Sequence, residues 1–168
     1  RSAAQLAFEP RIYQLVPLLM ALRLPVPRLL IADDVGIGKT IEAGLALKEY
    51  VLRGLVRRAL VLTPVSLMSQ WREELRHKFD LPFEVRARGQ SWSDLPFLIA
   101  SIDTAKTEKN RDEIGAAGFD LLVVDEAYGQ FAPWSALELL SEDRSLVVTR
   151  TYSKTWSMAA ARLGYLIG

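Results

Sequence analysis

The chain has 168 residues, half of them apolar and 24% charged, with 21 basic against 20 acidic side chains and a formal net charge of +1. Such a chain is one ordinary globular domain, able to bury about 70% of the surface its unfolded form exposes. The absence of cysteine excludes disulfides, thiolate catalysis and zinc–cysteine sites; the single His77 excludes a multi-histidine metal centre; the balanced charge excludes a global attraction for nucleic acid.

No apolar run approaches the ~20 residues that span a bilayer, and no signal-peptide pattern opens the chain. A soluble, cytoplasmic protein without a membrane partner is the expectation. A chain that begins at Arg1 rather than methionine is expected to be a fragment or a trimmed form.

The opening segment carries Tyr13, Leu15, Val16, Leu19, Met20 and Leu22 and predicts an amphipathic helix packed on a sheet, broken by Pro25 and Pro27. Short unalternated apolar runs then recur at 29–32, 59–63, 97–100, 121–124 and 146–148, as strands buried on both faces should read. A further strand is expected at 83–87. Helices are expected between the strands. One runs from Thr40 to about Val51. A second covers 65–79, with Leu67, Trp71, Leu75 and Phe79 at successive fourth positions. A polar surface helix covers 106–117, and shorter ones cover 134–140 and 157–163. Strands alternating with helices predict a single three-layer α/β/α domain over residues 1–168, with a mostly parallel sheet. The basic clusters Arg53, Arg57, Arg58 and Arg72, Arg76, His77, Lys78 read as solvated helix faces.

Residues 31–48, IADDVGIGKTIEAGLALK, end a strand, form a glycine loop and open a helix. Gly36 and Gly38 let backbone N–H groups turn toward phosphate oxygens, and the helix beginning near Thr40 adds its positive end. Lys39 can reach the β- and γ-phosphates, and the Thr40 hydroxyl can hold Mg²⁺. Asp33 stands where the usual phosphate-loop pattern has its first glycine. Downstream, 120–128 reads DLLVVDEAY, a buried strand ending in two carboxylates. There Asp125 would hold Mg²⁺ through water and Glu126 would orient the attacking water, giving Glu126 and Lys39 the catalytic roles.

Over 8–45, FEPRIYQLVPLLMALRLPVPRLLIADDVGIGKTIEAGL, the chain resembles the start of Swi/Snf-type ATPases of the second helicase superfamily. ALVLTPVSLMSQWREEL resembles the family's next motif and LIASIDTAK the one after, so five motifs fall in order from about Gln5 to Ala127. The resemblance implies a RecA-like phosphate-loop lobe that uses ATP and Mg²⁺, and it accounts for Asp33. Gln14 would recognise adenine, Gly36, Gly38, Lys39 and Thr40 would bind phosphate, and Thr40 and Asp125 would handle the metal. Thr63, Pro64, Gln70, Ser101 and Thr104 would lie near one DNA strand, with DNA bound weakly by one lobe. Read without the family, Thr63-Pro64 opens a helix and Trp71 is a core anchor.

The family's acidic motif is D-E-A-H, whereas this chain has Tyr128. From there DEAYGQFAPWSALELL and LVVTRTYSKTWSMAAARLGYLIG resemble histidinol-phosphate aminotransferases and related fold-type I pyridoxal-phosphate enzymes. Matched by position, that resemblance implies Lys154 as Schiff-base lysine, Asp125 beside the pyridinium nitrogen, and Tyr128 on the ring oxygen. Thr151, Ser153 and Arg162 would hold the cofactor phosphate. Two resemblances meeting at Asp-Glu-Ala imply a recombined or engineered chimera. Residues 1–127 would be its ATPase portion and 128–168 an aminotransferase-like portion completing the sheet. The expected activity is Mg·ATP binding with little hydrolysis. The alternatives are a pyridoxal-phosphate binder using Lys154, and a folded hybrid with neither activity.

Overall fold

The computed structural model describes residues 9–23, 28–32, 38–126 and 146–150. Their strands are β1 (Arg28–Ala32), β2 (Ala59–Thr63), β3 (Glu84–Val85), β4 (Phe97–Ser101), β5 (Leu121–Glu126) and β6 (Leu146–Arg150). They form one sheet in the order β1-β6-β5-β2-β4-β3, with every neighbouring pair parallel. β6 lies between β1 and β5, pairing Ile31 with Thr149 on one side and Asp125 with Thr149 on the other.

The helices are α1 (Val16–Ala21), α2 (Lys39–Leu52), α3 (Met68–Phe79), α4 (Ile102–Ala105) and α5 (Glu108–Ala116). The strand period of two sorts the core into two layers. Ala59, Val61, Ile99, Leu121, Val123 and Val147 share a cluster with residues of α1, α2 and α3. Leu60, Leu62, Leu98, Ala100, Val124, Leu146 and Val148 share the other with Trp92, Ala105 and the flanking Ile114. Helices therefore cover both faces, the three-layer α/β/α arrangement expected of parallel strands with continuous apolar runs.

α3 buries Trp71, Leu75 and Phe79, with Leu67 against the same cluster, so the stripe at successive fourth positions is its packing face. Two expectations are corrected. The opening segment is a 3₁₀ turn (Ile12–Leu15) followed by the short α1, packed on α2 and β1. It buries Leu18 and Ala21, while Tyr13, Val16, Leu19 and Met20 are exposed. Apolar residues surround this segment, so its composition did not define the buried face. The helix expected over 65–79 starts as a 3₁₀ turn (Val65–Leu67), after Pro64. The helix expected over 106–117 is α5, and a separate short helix, α4, precedes it; Ser101 caps α4, its Oγ accepting the Thr104 N–H at 3.0 Å.

The first basic cluster is partly structural. Asp120 Oδ2 accepts the Arg57 and Arg58 N–H groups at 2.7 and 2.9 Å. The Arg58 guanidinium lies 5.3 Å from the Phe119 ring centroid and donates to the carbonyls of Trp92, Ser93 and Leu95. The second cluster matches its surface reading, with ion pairs Arg72–Glu73, Arg76–Glu84 and the partly buried Lys78–Glu74, and with the exposed His77 Nδ1 3.3 Å from Glu73. Among the described residues no helix is long and apolar enough to cross a membrane.

Candidate functional site

The carboxyl ends of β1, β6, β5 and β2 lie side by side, which makes this edge the natural ligand crevice of a parallel α/β sheet. Gly38 precedes α2 in the left-handed region at φ +106°, a conformation that an L side chain strains to adopt. Lys39 and Thr40 are the first residues of α2 and are half-buried. Glu42, in the same turn, is completely buried.

Gln14 is buried beside this turn. Its Oε1 accepts the Arg11 N–H at 3.0 Å, and a Cβ built on Gly38 would fall 2.8 Å from Gln14 Nε2. The side chain expected to read adenine and a glycine expected to cradle phosphate are thus in contact, although 24 positions separate them.

Asp125, the penultimate residue of β5, lies on the sheet face that carries α2 and α3. Its Oδ2 accepts the Trp71 indole N–H at 2.8 Å and the Thr63 hydroxyl at 3.3 Å; its Oδ1 accepts the Thr149 hydroxyl at 3.0 Å. All four residues are buried, Thr63 and Thr149 completely. Parity along three adjacent strands explains the gathering. Thr63 follows inward-facing Ala59 and Val61, Asp125 follows Val123, and Thr149 follows Val147. Glu126 is also buried, next along β5.

Trp71 is the core anchor that its spacing suggested, and it is also a donor to the candidate metal carboxylate, which the sequence reading missed. The available signal was strand parity, which puts residues 63, 125 and 149 on the face that α3 covers. Of the residues expected near DNA, Thr63 and Ser101 are register partners at the ends of β2 and β4. The Thr63 hydroxyl is turned inward to Asp125, and Ser101 is buried as a helix cap. Pro64 and Thr104 are half-buried and Gln70 is exposed.

Gly36, Tyr128, Thr151, Ser153, Lys154 and Arg162 lie outside the described residues, as do Asp33 and the short helices expected at 134–140 and 157–163. Among the described residues no group of three or more His, Asp or Glu could itself hold a metal ion. The donor set suits Mg²⁺, which keeps waters and takes one or two carboxylates together with a substrate's phosphates. Thr40 at the start of α2 and Asp125 in β5 would be the residues to hold it.

Comparison with known proteins gives two unequal signals. The chain is 44% identical over 99 residues to the uncharacterized ATP-dependent helicase YqhH of Bacillus subtilis, covering 59% of this chain and 18% of that protein. It is 42% identical over 111 residues to the RNA polymerase-associated protein RapA of Pseudomonas putida, covering 61% of this chain and 12% of that one. The chain thus spans less than a fifth of the length of these curated relatives.

In fold it resembles the Sulfolobus solfataricus SWI2/SNF2 ATPase core in complex with dsDNA, with a TM-score of 0.67, 19% identity, and 94% of this chain matched to 36% of that one. The Pyrococcus furiosus Hef helicase domain gives a TM-score of 0.62 at 24% identity, over 89% of this chain and 34% of that domain. Separately, the family model for aminotransferase class I and II matches residues 119–168. The fold is the one these two solved structures share.

Proposed function

We propose that the chain is a nucleotide-binding lobe of SWI2/SNF2 type that binds ATP as its Mg²⁺ complex. Gln14 contacts the base, Gly36, Gly38, Lys39 and Thr40 hold the phosphates, Thr40 and Asp125 hold the metal, and Glu126 stands beside the attacking water. The observation that carries this reading is the contact between Gln14 and Gly38 at the start of α2, with Asp125 at the same sheet edge. Bound Mg²⁺ would supply charge neutralisation between phosphate oxygens. The protein's own part is to pre-orient donors and exclude water.

Hydrolysis by these 168 residues is weak, because two-lobed engines draw arginines from the second lobe, worth about 10³–10⁵ in rate. Duplex DNA is a weak partner at the ends of β2 and β4, with half of a groove and little net charge to hold it.

The aminotransferase match over 119–168 favours a second element of the proposal, that the chain is a chimera joined near Asp125–Ala127. Its aminotransferase-like portion, 128–168, completes the ATPase sheet. A pyridoxal-phosphate site built from Asp125, Tyr128, Thr151, Ser153, Lys154 and Arg162 is the competing reading. Asp125 is common to both readings: its Oδ2 is held by Trp71 and Thr63 of the ATPase portion, and its Oδ1 accepts from Thr149 of the aminotransferase-like portion.

Calorimetric titration with Mg·ATP, beside Lys39→Ala, tests the proposal. Saturable binding that disappears in the variant is expected. Absent binding, or binding unchanged in Lys39→Ala, rejects it. An aldehyde adduct lost only in Lys154→Ala would move the function to the competing site.

A further inference from the structure

We infer that Trp71 is a positioning residue for the metal-facing carboxylate. Its indole N–H, with the Thr63 hydroxyl, occupies Asp125 Oδ2 and leaves Oδ1 as the oxygen offered to a metal-bound water. The inference rests on the Mg·nucleotide reading of the site.

An aspartate carboxylate has a broad, nearly two-fold terminal torsion, so its own rotamer does not fix where its oxygens aim. Four lone-pair directions are available to the two oxygens. Oδ2 takes two donors, Trp71 at 2.8 Å and Thr63 at 3.3 Å, and Oδ1 takes one, Thr149 at 3.0 Å. The remaining acceptor direction therefore belongs to Oδ1, the oxygen that already faces β6 through Thr149.

Of the three donors the indole is the nearest, and it is the most rigidly held. Trp71 is 1% exposed and packs in the cluster with Leu75, Phe79 and the strand residues of its face. A hydroxyl can rotate away from its acceptor, whereas an indole N–H can leave only if the whole ring moves. Burial also strengthens a bond to a charged acceptor. Trp71 thereby ties α3 to the carboxylate across 54 positions of sequence.

The test uses the full chain, a fluorescent ATP analogue and a Mg²⁺ titration, with nucleotide affinity measured separately in EDTA. Trp71→Phe removes the donor. Replacement of Trp71 by its sulfur isostere, β-(3-benzothienyl)alanine, removes the donor and keeps the volume. Trp92→Phe is the control, since Trp92 is as deeply buried but donates to Asn110 instead.

Loss of a partner behind a metal ligand typically costs 10–100-fold in metal affinity. Both Trp71 replacements should raise the Mg²⁺ needed for half-saturation about tenfold. Affinity in EDTA should stay at the parent's value, and Trp92→Phe should change neither quantity. If the isostere matches the parent, or the two affinities fall together, the positioning role is wrong. Should Trp71→Phe fail to melt cooperatively, the isostere decides alone. A parent without saturable Mg·ATP binding would reject the nucleotide reading first, and this inference with it.

Discussion

Gln14 and Gly38 touch: a methyl group on Gly38 would fall 2.8 Å from the Gln14 amide nitrogen. The contact ties the 3₁₀ turn ahead of α1 to the start of α2, so one glycine meets a steric and a conformational demand together. At φ +106° an alanine is strained by about 1–2 kcal/mol, and it would also push Gln14 away. Gly38→Ala should therefore weaken Mg·ATP binding by at least tenfold while the domain still melts cooperatively. Binding by fluorescence and melting by circular dichroism check the two halves of that statement.

A second close approach sets the packing of α2 on α3. Gly44 lies against the Phe79 ring, and an added Cβ would fall 2.4 Å from Phe79 Cε2. Alanine in a helix interior normally gains about 1 kcal/mol over glycine. Here overpacking should reverse the sign, for a net loss of about 1–3 kcal/mol. Gly44→Ala should lower the urea midpoint, and Gly44→Ala with Phe79→Leu should recover part of the loss. A more stable single variant would disprove the contact.

These contacts mark where the sequence was legible and where it was not. β2 matches its expected bounds, and β1, β4, β5 and β6 were foreseen, because strands buried on both faces are continuous apolar runs. α2 and α3 announced themselves by a glycine turn and by a stripe at fourth positions. α1 did not, because Tyr13, Val16, Leu19 and Met20 are as apolar as the Leu18 and Ala21 it buries. The glycine loop, Gln14 and Asp125 could be singled out from residue type and spacing. That Trp71 donates to Asp125 could not, because a spacing rule sees one element and this bond joins two. Inward-turned Thr63 has the same cause: its face is set by the parity of β2 against its neighbours, not by the motif around it.

Tyr50 gives a pH prediction. Its hydroxyl is buried without a hydrogen-bond partner among the described residues, and burial pushes its pKa up to about 12, partly offset by Arg53. The unfolded chain releases this proton near 10. A pKa raised on folding contributes stability that is full below pH 10 and is lost as pH rises from there through about 12. Tyr50→Phe should remove that alkaline decline. At neutral pH it should cost nothing, or stabilise by about 1 kcal/mol, since an unpaired buried hydroxyl is itself unfavourable. Urea unfolding at pH 8 and pH 11 separates the two effects.

Arg58 offers the sharpest separation of charge from shape. One guanidinium stacks on Phe119 and donates to the carbonyls of Trp92, Ser93 and Leu95, strapping the loop before β4 to the start of β2. Had the basic cluster served only solvation, lysine would replace arginine at no cost. A lysine keeps the charge but lacks the planar face that lies over Phe119. Arg58→Lys should then lose about 1–2 kcal/mol, close to the loss in Arg58→Ala, because carbonyls are left short of partners in both. Arg57→Lys should be neutral, since its backbone N–H, and not its side chain, is what Asp120 holds. Equal and negligible effects at both positions would return the whole cluster to the solvent-facing reading.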